Sequence, residues 1–125
     1  MRIGSGRPAP LAGGAVTTIK TSREIDRVFR DGARVSHPLI TAIGAISPAE
    51  AAGAGRVAFI AGKKVGGAVR RNRAKRVMRE ACRRTGGPWA GWDIALVARA
   101  ETGASGASEL EAALSALVRR LGAAS

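Results

Sequence analysis

Ten of the 22 residues from Lys63 to Arg84 are Lys or Arg and one, Glu80, is acidic, so this segment carries +9. The whole 125-residue chain carries +12, from 21 basic and nine acidic residues. Three quarters of the excess charge therefore sits in about a sixth of the chain. Concentrated like charge repels itself and destabilises a compact state. A polyanion relieves that repulsion, and nucleic acid is the commonest one. Arginine suits such a partner because its planar fork bonds phosphate through two N–H groups at once. The chemistry on offer is recognition of phosphate.

Bond-breaking chemistry is poorly supplied. His37 is the only histidine and reads as a surface or strand-edge residue. Cys82 is the only cysteine and reads as a small, partly buried side chain on a helix edge. The acids are scattered, so no two-metal carboxylate site for phosphodiester cleavage is read. Gly62-Lys63-Lys64 is no phosphate-cradling loop, because Val57 stands where the first Gly is needed and Lys64 where Ser or Thr is needed. The sequence assigns no catalytic residue and no metal ligand to this chain.

The elements that must hold the basic segment follow from pattern. The length suits one domain. Residues 1–16 are Gly-, Pro- and Ala-rich without periodicity and read as a disordered basic tail, with residues 17–125 as a single RNA-binding α+β domain. Thr21 to Glu24 forms a capping box, and Ile25, Val28 and Phe29 follow at helical spacing to a stop at Gly32. This predicts a first helix over 22–31. Val35 to Ile46 reads as one or two strands with Pro38 at an edge or strand start. Arg56 to Ala61 reads as a buried strand, and Gly62, Gly66 and Gly67 as a loop. A basic helix is predicted over 68–84, a last strand over 92–98, and a final helix capped by Ser105 or Ser108. Phe59 and Trp92 are expected in the core. The order is α-β-β-β-α-β-α. A single cysteine fits a reducing compartment, and no apolar run approaches a membrane span or signal peptide, so a cytoplasmic location is expected.

On a helix turning about 100° per residue, Ala74, Val77, Met78 and Ala81 share one face. Asn72, Lys75, Arg76, Arg79 and Arg83 share the opposite face. Arg70 and Arg71 fall on the apolar half of a regular helix, so either the helix starts near Asn72 or these side chains swing out. Glu80 is expected to pair with Arg76 and Arg84.

The order Lys63-Lys64-x-Gly66-x-Ala68-x-x-Arg71-Asn72-Arg73-x-Lys75-Arg76-x-x-Arg79-Glu80 closely resembles the signature of the bacterial ribonuclease P protein component. Arg27 to Gly32, Arg56 to Phe59 and Gly91 to Arg99 resemble that family's first helix and the strands on either side of the motif. The resemblance implies an α+β sandwich with a small central sheet and a left-handed β-α-β crossover through the basic helix. It implies the protein subunit of an endoribonuclease that matures the 5′ end of precursor tRNA. The partners would be ribonuclease P RNA and precursor tRNA, with no membrane and no stable protein partner required. Catalysis, with Mg²⁺, would belong to the RNA.

Carried over by position, Lys63, Lys64, Arg71, Asn72, Arg73, Lys75, Arg76 and Arg79 form the RNA-contacting set, and Arg70 and Arg83 join them from the same run. The leader cleft would draw on Ile25, Phe29 and Ile43, with Arg30 and Arg34 beside them. Family members often have aromatics where Ile25 and Ile43 stand, a Ser where Gly62 stands and an Asn where Gly67 stands. Two other readings compete: a ribosomal or RNA-chaperone protein without a processing role, and a small DNA-binding protein. The second is disfavoured because the basic helix follows a strand and a Gly loop, not a helix-turn-helix.

Overall fold

The computed structural model describes residues 18–19, 21–48, 53 and 55–123. The predicted tail over 1–16 lies outside the described residues. Three helices and four strands follow in the expected order: α1 (Ser22–Asp31), β1 (Ala33–His37), β2 (Ile40–Ile46), β3 (Arg56–Ile60), α2 (Ala68–Arg84), β4 (Trp92–Ala98) and α3 (Ala107–Leu121). Two short 3₁₀ turns, Lys63–Val65 and Thr102–Ala104, lie before α2 and α3.

Local chemistry sets the boundaries. The Thr21 hydroxyl accepts from the Glu24 N–H at 3.2 Å and donates to the Glu24 carboxylate at 3.1 Å, closing the first turn of α1. The α1 chain stops at Gly32, where a Cβ would come within 2.5 Å of the Val28 carbonyl and 2.9 Å of Ile43. Pro38 and Leu39 make the turn that divides Val35 to Ile46 into β1 and β2. The start of α3 differs from expectation. Gly106, rather than Ser105 or Ser108, is the N-cap, and its N–H donates to the Glu109 carboxylate at 3.2 Å. The Ser105 hydroxyl instead donates to the Thr102 carbonyl.

The sheet order is β1-β2-β4-β3, with β1, β2 and β4 antiparallel in turn and β3 parallel to β4. α2 is therefore the connection between two parallel neighbours. The free edge of β3 is met by the segment before α1, where Thr18 bridges Val57 and the Ile19 N–H donates to the Val57 carbonyl.

Alternation along the strands gives the sheet two apolar faces. Ile40, Ala42, Val57, Ile94, Leu96 and Ala98 pack under α2 and α3 with Met78, Ala81, Leu110, Leu114 and Leu117. Ile43, Ala58 and Ala95 pack with Val28 of α1 and Ile19. Trp92, expected in the core, is only partly buried and packs from the margin, whereas Trp89 is buried. Cys82 is fully buried rather than at a helix edge, because Trp89 and the Gly87 turn close over that side of α2.

One polar cluster pins α1 to the sheet. The Asp93 carboxylate is fully buried and accepts from Arg56 Nη2 at 2.7 Å, Arg56 Nε at 3.1 Å, Arg27 Nη2 at 2.9 Å and Ser47 Oγ at 2.8 Å. Arg56 also reaches Glu24 of α1 at 2.5 Å. Burial pushes the Asp93 carboxyl up, but the hydrogen bonds from Arg56 and Ser47 and the Arg56 charge outweigh it and hold it below its ordinary value. The Arg56 guanidinium lowers Glu24 as well. A carboxylate with a depressed folded-state pKa stabilises the fold above its unfolded value and loses that contribution as pH falls through the folded one. Stability should therefore drop as pH is lowered below the ordinary carboxylate range. Asp93→Asn should cost about 3 kcal/mol by leaving Arg27 and Arg56 without their charge partner, and it should flatten the acid limb. Urea unfolding of both proteins between pH 7 and pH 3 measures this; equal stability at pH 7 would refute the role.

Candidate nucleic-acid interface

α2 is placed by its apolar side. Ala74, Met78, Ala81 and Cys82 are buried, and Val77 is half-buried. Asn72, Arg73, Arg76, Arg79 and Arg83 are exposed, with Lys75 half-buried at the margin, so the cationic face points outward as its spacing predicts. The helix begins at Ala68, and Arg70 and Arg71 lie in its first turn. Arg70 swings out over Gly66, where a Cβ would lie 2.6 Å from the Arg70 Cδ. Gly66 holds φ at 133°, a conformation that strains any residue with a Cβ. Val65 is buried and anchors the loop, which leaves Lys63 and Lys64 exposed beside the helix start. Gly67 is the N-cap and supplies no side-chain cap, and the first turn holds no acid. The positive end of the helix dipole thus adds to the charge of the two lysines.

The basic side chains divide into two groups. Arg73 Nε donates to the Gly103 carbonyl at 2.9 Å, tying α2 to the turn before α3. The Arg79 guanidinium lies 5.0 Å from the centre of the Phe59 ring, which is half-buried beneath it. Arg83 and Arg84 both bond Glu80, and Arg84 also reaches Glu111 at 3.8 Å. The expected Arg76 partner of Glu80 is replaced by Arg83. Long helical side chains lean toward the N-terminus, so residues three and four positions later reach back to Glu80 while Arg76 leans away. The arginines hold the Glu80 carboxyl below its usual value, Arg83 first and Arg84 second. Lys63, Lys64, Arg70, Arg71, Lys75 and Arg76 make no ion pair among the described residues.

The predicted cleft residues separate. Ile25 is half-buried and Phe29 is 43 % exposed at the margin of α1. Ile43 is only 2 % exposed, covered by α1 and packed with Val28, so it supports the floor from beneath and presents almost no surface. Arg34 stands opposite Ile43 on β1 and is exposed, while Arg30 is exposed and pairs with Asp31. Beside the row that α1 covers runs a second row on the same sheet face, formed by Ser36, Thr41, Val97 and Ile60 in register across all four strands. Sequence reading does not assign this row. Its signal is the strand alternation, which needs the register to become a surface.

The ribonuclease P family model matches residues 15–122. The chain belongs to the ribonuclease P protein family. It is 55 % identical over 56 residues to the ribonuclease P protein component of Dehalococcoides mccartyi strain 195, covering 45 % of this chain and 46 % of that protein. It is 42 % identical over 64 residues to that of a Nitratiruptor species, covering 51 % and 54 %. The chain thus spans about half the length of the curated relatives it matches. The RNase P protein of Staphylococcus aureus superposes with a TM-score of 0.71 at 21 % identity, covering 85 % of this chain and 95 % of that one. That of Thermotoga maritima gives 0.70 at 23 % identity, covering 82 % and 96 %. At such identities the superpositions establish the fold: an α+β sandwich on a four-stranded mixed sheet.

Within this family fold the buried thiol has no part in the basic face. Burial pushes Cys82 up to about 12. A thiol-labelling reagent at pH 8 should leave the native protein almost unmodified and label it quickly in urea. Rapid native labelling would mean that the Trp89 side of α2 opens.

Proposed function

We propose that this chain is the protein subunit of a ribonuclease P ribonucleoprotein and promotes 5′ maturation of precursor tRNA. One observation carries the reading most strongly: Lys63, Lys64, Arg70, Lys75 and Arg76 lie around the outward face and first turn of a helix whose opposite face is core, and none is neutralised by an acid among the described residues. Family membership supports ribonuclease P RNA as that polyanion.

In this reading the basic face, with Asn72 on it and Arg71 at its edge, docks on ribonuclease P RNA. Arg79 and Arg73 contribute charge while braced against Phe59 and Gly103. The groove beside α1, with Ile25, Phe29, Arg30 and Arg34, receives the single-stranded 5′ leader. The RNA performs the hydrolysis. Glu24 and Asp93 meet at Arg56, Glu80 is paired separately with Arg83 and Arg84, and acids committed to arginines in this way do not fit a protein-held Mg²⁺. In this reading the cation acts through the RNA, and the site of action is the cytoplasm.

The test combines the protein with ribonuclease P RNA and labelled precursor tRNA at low Mg²⁺. Stimulated 5′ cleavage is expected; RNA binding without stimulation would favour an RNA-chaperone role instead. Arg76→Ala should weaken binding to the RNA subunit several-fold and shallow its salt dependence, because each neutralised phosphate adds to the slope. Its thermal unfolding should be nearly unchanged, since Arg76 makes no ion pair among the described residues. Arg73→Ala is a less clean probe because it also removes the Gly103 tether.

The leader groove gives a second expectation. Base stacking on an aromatic is worth about 1–3 kcal/mol, and Ile25 offers no π-face. Ile25→Phe should tighten binding of leader-bearing precursor tRNA and leave mature tRNA binding unchanged. No gain in a competition assay would show that this position does not meet a base.

A further inference from the structure

A cleft of about 350 Å³ opens where the start of α2 meets the Thr102–Ala104 turn, lined by Val65, Arg70, Arg73, Ala100, Gly103 and Ala104. That volume lies in the range of small-molecule sites. Its walls are fixed. Val65 is buried, and its N–H donates to the Gly62 carbonyl at 3.1 Å. On the other side Thr102 is fully buried and its hydroxyl donates to the Leu39 carbonyl, while the Ala104 N–H donates to the Glu101 carbonyl at 3.1 Å. Arg73 joins the two walls: its Nε donates to the Gly103 carbonyl at 2.9 Å, and its Cγ lies 3.7 Å from where a Cβ on Gly103 would stand.

Two features set this cleft apart from the basic surface around it. Val65, Ala100 and Ala104 give it an apolar lining, which a phosphate does not need and a base does. The side chains in it that can hydrogen-bond are both guanidiniums, each with five N–H donors and no acceptor. Arg73 uses one donor on Gly103, and neither arginine makes an ion pair among the described residues. Proteins read RNA by stacking splayed-out bases on such planes and bonding their edges. Guanine presents two acceptors, O6 and N7, on the edge that an arginine bonds through two N–H groups. Adenine and cytosine present an amino group there, which would meet a donor and stay unpaired.

We propose that this cleft receives one unstacked guanine nucleotide of the RNA docked on α2, its base over Val65 and the alanines, its O6/N7 edge on Arg73 and its phosphate on Arg70. This rests on the proposed function, since it assumes that α2 docks on ribonuclease P RNA.

The experiment fills the cleft without changing any charge. Wild-type protein must first bind ribonuclease P RNA; if it does not, the functional reading fails and not this one. Given binding, Ala104→Leu should weaken it about tenfold, within the range of one bidentate base contact. The salt slope should stay as in wild type, because no phosphate contact is removed. Ala100→Leu fills the cleft from the same strand end and should act alike if Ala104→Leu does not fold. Probing the complex with dimethyl sulfate should show one guanine N7 that wild-type protein protects and the filled variant leaves reactive. Changing that guanosine to adenosine should weaken wild-type binding about tenfold and cost the filled variant nothing further, since coupled partners do not add. Free guanosine monophosphate should shift the Gly103 and Ala104 amide resonances only at millimolar concentration. Unchanged affinity and N7 protection in the filled variants, or additive losses, overturn the proposal. A loss accompanied by a shallower salt slope marks displaced phosphate contacts and overturns it too. Micromolar binding of free guanosine monophosphate would make the cleft a site for a soluble nucleotide and overturn its assignment to the RNA.

Discussion

The geometry beside the sheet depends on one buried carboxylate. Asp93 lies on the face of β4 toward α1 and gathers Arg27 from α1, Arg56 from β3 and Ser47 from the end of β2. Apolar packing alone gives α1 a shallow seat, because Ala58 and Ala95 beneath it are small and Val28 is its one fully buried residue. Directional charge-assisted bonds at one end fix where the helix lies. They leave Ile25 and Phe29 at its margin and the Ser36–Thr41–Val97–Ile60 row beside it. A buried ion cluster adds modest net stability, since desolvation offsets much of the attraction. Its larger effect here is positional.

Arginine does three different jobs in this chain. Arg27 and Arg56 are largely buried struts whose charge is consumed inside the fold. Arg73, Arg79, Arg83 and Arg84 are braces, engaged partly with a carbonyl, an aromatic ring and Glu80. Arg70 and Arg76, with Lys63, Lys64 and Lys75, keep their charge for a partner. The net charge of +12 therefore overstates how evenly the surface repels itself. The internal pairs engage cations elsewhere, and among the described residues Lys63, Lys64, Arg70, Lys75 and Arg76 stay uncompensated together around α2 and its preceding loop. That concentration raises the local potential without a matching cost inside the core.

Much of the fold is legible in the chain because its signals are local. The Thr21 cap and the Ile25, Val28, Phe29 spacing define α1, and the alternation of basic and apolar residues defines α2 and which side of it is buried. The start of α3 escapes such reading because Ser105 and Ser108 both look like caps. The choice falls to Gly106, whose N–H meets Glu109 while Ser105 serves the preceding turn. A helical wheel puts Cys82 at an edge because it treats one side as core, whereas α2 is also covered by Trp89 from a turn further along.

The sequence by itself determined the element order and the cationic face of α2, because each depends on residue type and short spacing. Only the tertiary structure decided which arginines are engaged inside the fold. The partners of Asp93 lie 66, 37 and 46 positions away from it, and no periodicity links such residues. It also decided that Ile43 is covered while Thr41, two residues earlier on the same strand face, carries Arg99. Strand alternation assigns both residues to one face. Where α1 comes to rest on that face separates floor from foundation, and that is set by a carboxylate on a different strand.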